Sequence, residues 1–486
     1  MRVLFIDIDT LRPDHMGCYG YHRNTTPNID KIAEAGTRFT NYYTSDAPCL
    51  PSRAALISGM FGFRNGVVGH GGTAADRRLT GEARGFTDNV DDGCFHNIFR
   101  KAGLHTVSIS SFPERHSAWW FNAGLNETYN VGKFGLESGE EVIPVAIDWL
   151  NRKGAEDDWY LHVHLWDPHT PYRAPENFGD PFKDEPIVDW ITDDVFKHHQ
   201  KHVGPHSIME TGMYSDDLGG DFPRQPGMCQ TKEELAQFLN GYDTGILYSD
   251  FLIGQIIDKL KKMNIYENTA IIITSDHGEN MGELGIYAEH GTADHATCHI
   301  PMIIKWPGMQ KNAVDDGLHY NLDLLPTLAN IMNVKKEEYW DGESFSESLR
   351  IGENQGRPHL IISQNAHVCQ RSARFDDWLY IRTYHDGYHL FEKEMLFNLK
   401  DDPYEQKNRS SEKAEVCEKA AKIILDWQDD QMMKDPTNRD PMWTVMSEGG
   451  PEHSKTNLNA YLLRLEATGR SEGAQILRNR YNHRSK

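Results

Sequence analysis

Two short acidic segments are the first places where this chain could do chemistry. Asp7-Ile8-Asp9 closes the apolar run that begins at Arg2, and Asp276-His277 follows directly on the apolar run Ala270 to Thr274. On a strand, residues two apart face the same side, so Asp7 and Asp9 can point one way. Carboxylates at the ends of buried strands are costly without a cation. An oxygen-rich pair of this kind suits a hard divalent ion such as calcium or magnesium. A third segment, Trp166-Asp167-Pro168-His169-Thr170-Pro171-Tyr172, sets a histidine between two prolines in a stiff loop. With 24 histidines in the chain, any one of them is ordinarily a surface or packing residue. His169 and His290 stand out because each lies a few residues past a strand or a site loop. His70, among glycines, carries less weight, and His295 and His299 less again. The run Cys49-Leu50-Pro51-Ser52-Arg53, then Ala54, Ala55, Leu56 and Gly59, poses a separate question. A free cysteine often packs as a small hydrophobe, and the spacing alone does not decide against that.

The elements that must position these residues alternate. Arg2 to Asp7 reads as a buried strand, and the segment around Asn28 to Gly36 as an amphipathic helix stopped by the glycine. Cys94 to Ser110 reads as a helix ended at Gly103 and then a strand. Tyr160 to Tyr172 reads as a strand running into a proline-rich loop. A long amphipathic helix is expected from Thr244, followed by a turn and the strand Ala270 to Thr274. Strands alternating with helices imply an α/β fold with a largely parallel sheet, whose ligands gather past the strand ends. Residues 176 to 240 are polar, rich in Gly and Pro, and read as an insertion of loops and short helices beside the site. From about 370 the pattern alternates like antiparallel hairpins. A helix near 412 to 433 and a loop-rich tail follow. The expected division is a catalytic domain over 1–370 and a C-terminal subdomain over 371–486.

The composition narrows the partners. A net charge of −22 speaks against nucleic acid. No apolar run reaches the roughly 20 residues that span a bilayer, so no membrane is expected. The N-terminal run, broken by Asp7 and Asp9, does not read as a secretory signal, and a cytoplasmic location is expected. Seven scattered cysteines without a Cys-x-x-Cys pair suit free thiols in a reducing compartment.

Taken together, these motifs carry a resemblance. Cys49-Leu50-Pro51-Ser52-Arg53 with Gly59 resembles the signature of the type I, formylglycine-dependent sulfatases of the alkaline phosphatase superfamily. Asp9-Thr10-Leu11-Arg12, Asp167-Pro168-His169, Thr274-Ser275-Asp276-His277-Gly278 and Ile300 to Gly308 resemble that family in the same order, and Leu396 to Ser410 resembles its C-terminal subdomain. The resemblance covers roughly Arg2 to Asn408. It implies a large alkaline-phosphatase-like domain with a mostly parallel central sheet flanked by helices, and a smaller subdomain with an antiparallel sheet. It implies that a formylglycine-generating (sulfatase-maturating) enzyme oxidises Cys49, and that the hydrated aldehyde attacks sulfur through one hydroxyl and expels sulfate through the other. Asp9, Asp276, His277 and the modified Cys49 match the metal positions, for calcium first and magnesium or manganese second. Thr10 stands where the family usually has a second aspartate, and Asp7 is a candidate replacement. Arg53 matches the arginine that holds the hydrate. His169 matches a proton donor to the leaving oxygen, and His290 falls where many members place a lysine on the sulfate. The family's Lys-x-His motif is not recognisable, so Arg115 and His116 are candidate substitutes, with His70 a further candidate for substrate binding. The implied substrate is a sulfated sugar, such as a glycosaminoglycan-derived saccharide. The 176–240 insertion and Ser117 to Phe121 would build its pocket unless they are simple packing. The alternatives are a phosphonate monoester or phosphodiester hydrolase, and an inactive sugar-binding homologue.

Overall fold

The computed structural model describes residues 1–80, 88–212, 222–434 and 439–481. The part of the expected insertion at 213–221 and the last residues, 482–486, lie outside the described residues. The first strand, β1 (Arg2–Ile8), is apolar on both faces because both faces are covered. Leu4, Ile6 and Ile8 pack into one cluster with Val142, Trp149, Leu252 and Ile256, from the helices Gly139–Lys153 and Lys232–Lys262. Val3 and Phe5 pack into another with Ile57, Phe95, Phe99 and Leu328, from three helices on the opposite face. A strand buried on both sides reads as a continuous hydrophobic run, which is how parallel sheets read.

The other strands are β2 (Thr37–Tyr43), β3 (Asp46–Ala47), β4 (His105–Ile109), β5 (Glu127–Tyr129), β6 (Trp159–Leu165), β7 (Thr269–Thr274), β8 (Asn280–Met281), β9 (Tyr287–Glu289), β10 (Met302–Lys305), β11 (Ala313–Tyr320), β12 (His359–Gln364), β13 (Cys369–Phe375), β14 (Trp378–His385) and β15 (Glu394–Asn398). The central sheet runs β11-β2-β10-β7-β1-β6-β4-β5. All of its pairings are parallel except those of β10, which runs against both β2 and β7. Gly36 lets the chain turn close to β10, since a Cβ there would stand 2.4 Å from the Ile304 carbonyl oxygen. The second sheet runs β15-β14-β13-β12-β3 and is antiparallel except at β12 and β3. It therefore begins at His359, ahead of position 371, and it reaches back to Asp46 and Ala47, just before Cys49.

Two expectations differ from what is found. The long helix starts at Lys232, where Thr231 accepts from the Glu234 amide and Glu234 accepts from the Thr231 amide, a capping box within a stretch read as loop. The tail is not loop-rich. It forms the helices Pro441–Ser447, Leu458–Ala467 and Ser471–Tyr481, whose Tyr461, Leu465, Ala474 and Leu477 bury one another against Tyr388. All seven cysteines are free. Among the described residues no helix is long and apolar enough to cross a membrane.

Candidate active site

Register sets the site. Asp7 pairs across to His164 on β6 and to Thr274 on β7, so the carboxyl ends of the three central strands are level. Asp9, Trp166 to His169 and Ser275 to His277 leave the sheet together at that edge. The turn out of β1 places Thr10 at φ 58°, a left-handed conformation that costs a β-branched residue on the order of 1–2 kcal/mol. Neighbours hold it there. The Tyr242 hydroxyl donates to the Thr10 carbonyl at 2.6 Å and accepts from the Arg12 amide at 3.1 Å, while the Leu11 amide donates to Ser275 Oγ at 3.0 Å.

Cys49 is the first residue of the helix Cys49–Ser58, 1% exposed, and this helix ends at Gly59 in a left-handed conformation that glycine adopts freely. Its Sγ lies 3.0 Å from His277 Nε2. His277 Nδ1–H donates to the Gly278 carbonyl at 2.9 Å, which turns Nε2 toward the site. His277 Nε2 is 3.2 Å from Asp276 Oδ2 and 3.9 Å from Asp9 Oδ1. One ligand atom each from Asp9, Cys49, Asp276 and His277 lies within 4.8 Å of the others. Asp9 Oδ1, Thr10 Oγ1 and Asp7 Oδ1 are buried without a hydrogen-bond partner. Unfilled oxygens beside two carboxylates and one imidazole fit a hard divalent cation. Asp7 stands one strand position deeper, on Arg53 and His162, and no such four-atom grouping among the described residues includes it.

Arg53 is 1% exposed and meets three carboxylates. Its Nε donates to Asp7 Oδ2 at 3.0 Å, Nη2 to Asp9 Oδ2 at 3.0 Å, and Nη1 to Asp276 Oδ2. Phe112 and Trp166 lie across its faces at 4.9 and 5.8 Å. Burial works to raise Asp7 and Asp9, yet the Arg53 guanidinium, together with the histidines around them, outweighs it and holds both below the usual carboxylate range. Asp276 is pushed up, by burial and by the other two carboxylates. Burial and the negative charge of Asp9 and Asp276 push the Cys49 thiol far up, so the encoded thiol is protonated and a poor nucleophile.

Around this centre the His290 ring lies against His277 at 4.1 Å, tilted by 32°, and faces His169 at 5.3 Å. His169 Nδ1–H donates to the Thr170 carbonyl, which leaves Nε2 as the nitrogen for the site. Its loop is braced by Gln225 of the insertion, which accepts from the Tyr172 amide at 3.1 Å and bonds the Thr170 hydroxyl. Arg115 lies over Trp166 at 5.2 Å and donates to the Phe134 carbonyl, and His116 packs on Phe112 and His70. His70 itself bonds His453 in the tail at 2.9 Å. His295 and His299 stack on each other and pack against Tyr43, apart from the centre. Trp120 and Phe121 are core, while Trp119 is exposed under Arg77. A cleft of about 550 Å³ lined by Glu176, Asp180, Lys183 and Arg224 shares no residue with the site.

Several residues at the centre escaped the sequence reading. His162 and His164 on β6 project onto Asp7 and Arg53, with His164 Nε2 2.7 Å from Arg53 Nη2 and 3.3 Å from Asp9 Oδ2. Their Nδ1 atoms meet the hydroxyls of Ser108 and Ser110 at 2.8 and 2.9 Å. Small side chains at and just beyond the end of β4 leave the room that β6 fills with imidazoles. Glu279 and Glu289 flank His290 at 3.4 and 3.2 Å, and Arg173 donates to the His169 carbonyl at 3.3 Å. An His-x-His alternation running into Asp-Pro-His was the only signal for the first pair.

The model of the family described as Sulfatase matches residues 2–334. The chain belongs to the sulfatase family. As a sulfatase it is a hydrolase of sulfate esters. It is 23% identical over 519 residues to the N-acetylglucosamine-6-O-sulfatase of Bacteroides thetaiotaomicron, covering 92% of this chain and 89% of that one. Its fold matches, at a TM-score of 0.71 and 19% identity, an enzyme solved with its substrate D-glucosamine-2-N,6-O-disulfate, over 90% of this sulfatase and 99% of that chain. It also matches the phosphonate monoester hydrolase of Agrobacterium radiobacter at a TM-score of 0.69 and 19% identity, over 88% and 96%.

Proposed function

We propose that this sulfatase cleaves a sulfate ester on a sugar, of the glycosaminoglycan-derived class, at a centre built on a formylglycine made from Cys49 and a calcium ion. The observation that carries the reading is the convergence of Asp9, Cys49, Asp276 and His277 within 4.8 Å, backed by Arg53. The likeness to an N-acetylglucosamine-6-O-sulfatase and to a glucosamine disulfate enzyme supports the sugar. Asp9, Asp276 and His277 would hold the cation, with Thr10 Oγ1 near enough in the chain to assist and Asp7 serving Arg53. When bound, the cation supplies positive charge to the sulfate oxygens and acidifies the hydroxyl beside it. The hydrated formylglycine supplies two hydroxyls on one carbon, where cysteine has a protonated thiol. Arg53, fixed by three carboxylates and two aromatic faces, orients the residue at position 49 without reorganising. Arg115 and Arg173 bring further positive charge to the loop of His169. His169 and His290 lie side by side next to the centre, where a leaving alkoxide needs a proton. Their burial among aromatic rings excludes water from that step.

The test is turnover by matured enzyme on defined sulfated mono- and disaccharides beside nitrophenyl sulfate and an aryl phosphonate. The reading expects sulfated saccharides to be cleaved with the highest kcat/KM. A clear preference for the phosphonate would replace it with phosphonate monoester hydrolysis.

A further inference from the structure

Beyond His290 the wall of the site continues into His206, Glu289 and His367, of which only Glu289 pairs with a residue given a part in sulfate ester cleavage. His206 comes from the insertion, Glu289 from the end of β9, and His367 from the connection between β12 and β13. They are 6%, 7% and 6% exposed. One ligand atom of each lies within 4.8 Å of the others. Glu289 Oε2 is 2.9 Å from His206 Nε2, and Oε1 is 3.3 Å from His367 Nε2. Close as they are, neither nitrogen of His206 nor Nε2 of His367 completes a hydrogen bond of proper geometry. Buried imidazole nitrogens left without partners cost roughly 1–3 kcal/mol each. Zinc bonds of about 2.0–2.1 Å set neighbouring ligands of a tetrahedral site roughly 3.3 Å apart, close to the distance of each imidazole from its nearer Glu289 oxygen.

The backbone adds a second observation. His206 sits at φ 62°, in the left-handed region that a non-glycine residue occupies only when its surroundings hold it there. Its carbonyl accepts from the Tyr287 amide at 2.7 Å, so the strained residue is pinned to the strand that carries Glu289. The ring of His453 from the tail stacks on His367 at 3.9 Å and 9°, and His70 joins them at the partly exposed rim.

We propose that His206, Glu289 and His367 form a second metal site that takes a zinc-class divalent cation, distinct from the centre at Cys49. Two imidazoles and one carboxylate are a borderline donor set, better suited to zinc than to calcium. The ion would tie the insertion, β9 and the second sheet together one imidazole away from His277. This site does not depend on the identity of the sulfate ester.

The experiment uses untagged full-length protein, stripped with chelator, saturated with calcium, equilibrated with zinc and desalted. One zinc equivalent should stay with the unaltered chain and with Asp276→Ala, and should be lost from His206→Gln and His367→Gln. X-ray absorption of the zinc in the chain that keeps its Cys49 thiol should show two imidazoles and no sulfur, whereas both groupings at Cys49 would bring its sulfur. That spectrum decides the matter even where a histidine variant does not fold. Retention of no zinc by the unaltered chain, undiminished zinc in both folded histidine variants, or a spectrum with sulfur bound to the zinc would each overturn the site.

Discussion

Arg53 carries one positive charge against three carboxylates in a volume closed to water, and that imbalance governs the residues around it. A divalent cation restores the balance, so Asp276→Ala should empty the proposed calcium site and lower turnover more than about 100-fold. Metal analysis beside initial rates checks this, and full calcium occupancy with normal rates would sink the assignment. At Cys49 the prediction concerns repetition. Cys49→Ser offers one hydroxyl where the hydrated aldehyde offers two, so it should give no sustained turnover. Repeated cycles by the serine variant, followed as sulfate released per enzyme, would show that the second hydroxyl is not needed. His169 is separable from binding by choice of leaving group. His169→Ala should cost a sugar sulfate roughly 10²–10⁴-fold and nitrophenyl sulfate far less, since a nitrophenolate leaves without a proton. Equal losses on both substrates would move His169 from proton transfer to positioning.

Strand ends do the positioning, and their loops are fastened by groups with their own acid–base behaviour. Asp167, wholly buried, accepts the Gly139 amide through both oxygens at 3.0 Å and so ties the His169 loop to the start of the helix Gly139–Lys153. Burial raises it to about 6, against the Gly139 hydrogen bond and Arg173. Its folded value lies above its unfolded one, so the folded chain holds the extra proton between roughly pH 4 and 6. The resulting stability is complete below pH 4 and is lost as the pH rises through about 6. In Asp167→Asn that pH-dependent contribution, about 3 kcal/mol, should vanish, as denaturant melts of both proteins from pH 4 to 7 would show. The same strands explain what the sequence could tell. β1 and β7 were legible because burial on both faces forces an apolar run, and a carboxylate at its end breaks the run visibly. His162 and His164 were not, because they alternate with Leu161, Val163 and Leu165 as on any strand. Their role depends on Ser108 and Ser110 being small on the neighbouring strand. The start of the long helix was hidden because its capping box sits in a polar stretch. His206, His367 and His453 lie on separate loops, and no local pattern announces that they meet.

The whole molecule is closed by its C-terminal tail, which the sequence presents as an afterthought. Arg371 on β13 holds Asp440 with two hydrogen bonds of 2.7 and 2.6 Å, at 2% and 3% side-chain exposure. Glu210 of the insertion holds Arg464 and Arg470 of the tail. Breaking such a buried pair strands a charge, so Asp440→Ala should cost about 3–5 kcal/mol. The double variant Arg371→Met, Asp440→Leu should lose much less. Equal losses in the two unfolding curves would show that the pair itself, not a stranded charge, provides the stability. A last consequence lies in the pairing of Asp46 and Ala47 with Ser363 and Gln364. Synthesis proceeds from the N-terminus, and the partner strand of the segment leading into Cys49 is among the later parts of the chain to emerge. Until β12 is made, that segment has no sheet to join. On the proposed reading, a maturating enzyme that must grip an extended peptide around Cys49 would work against a clock set by translation, and the arrival of the second sheet would end its opportunity.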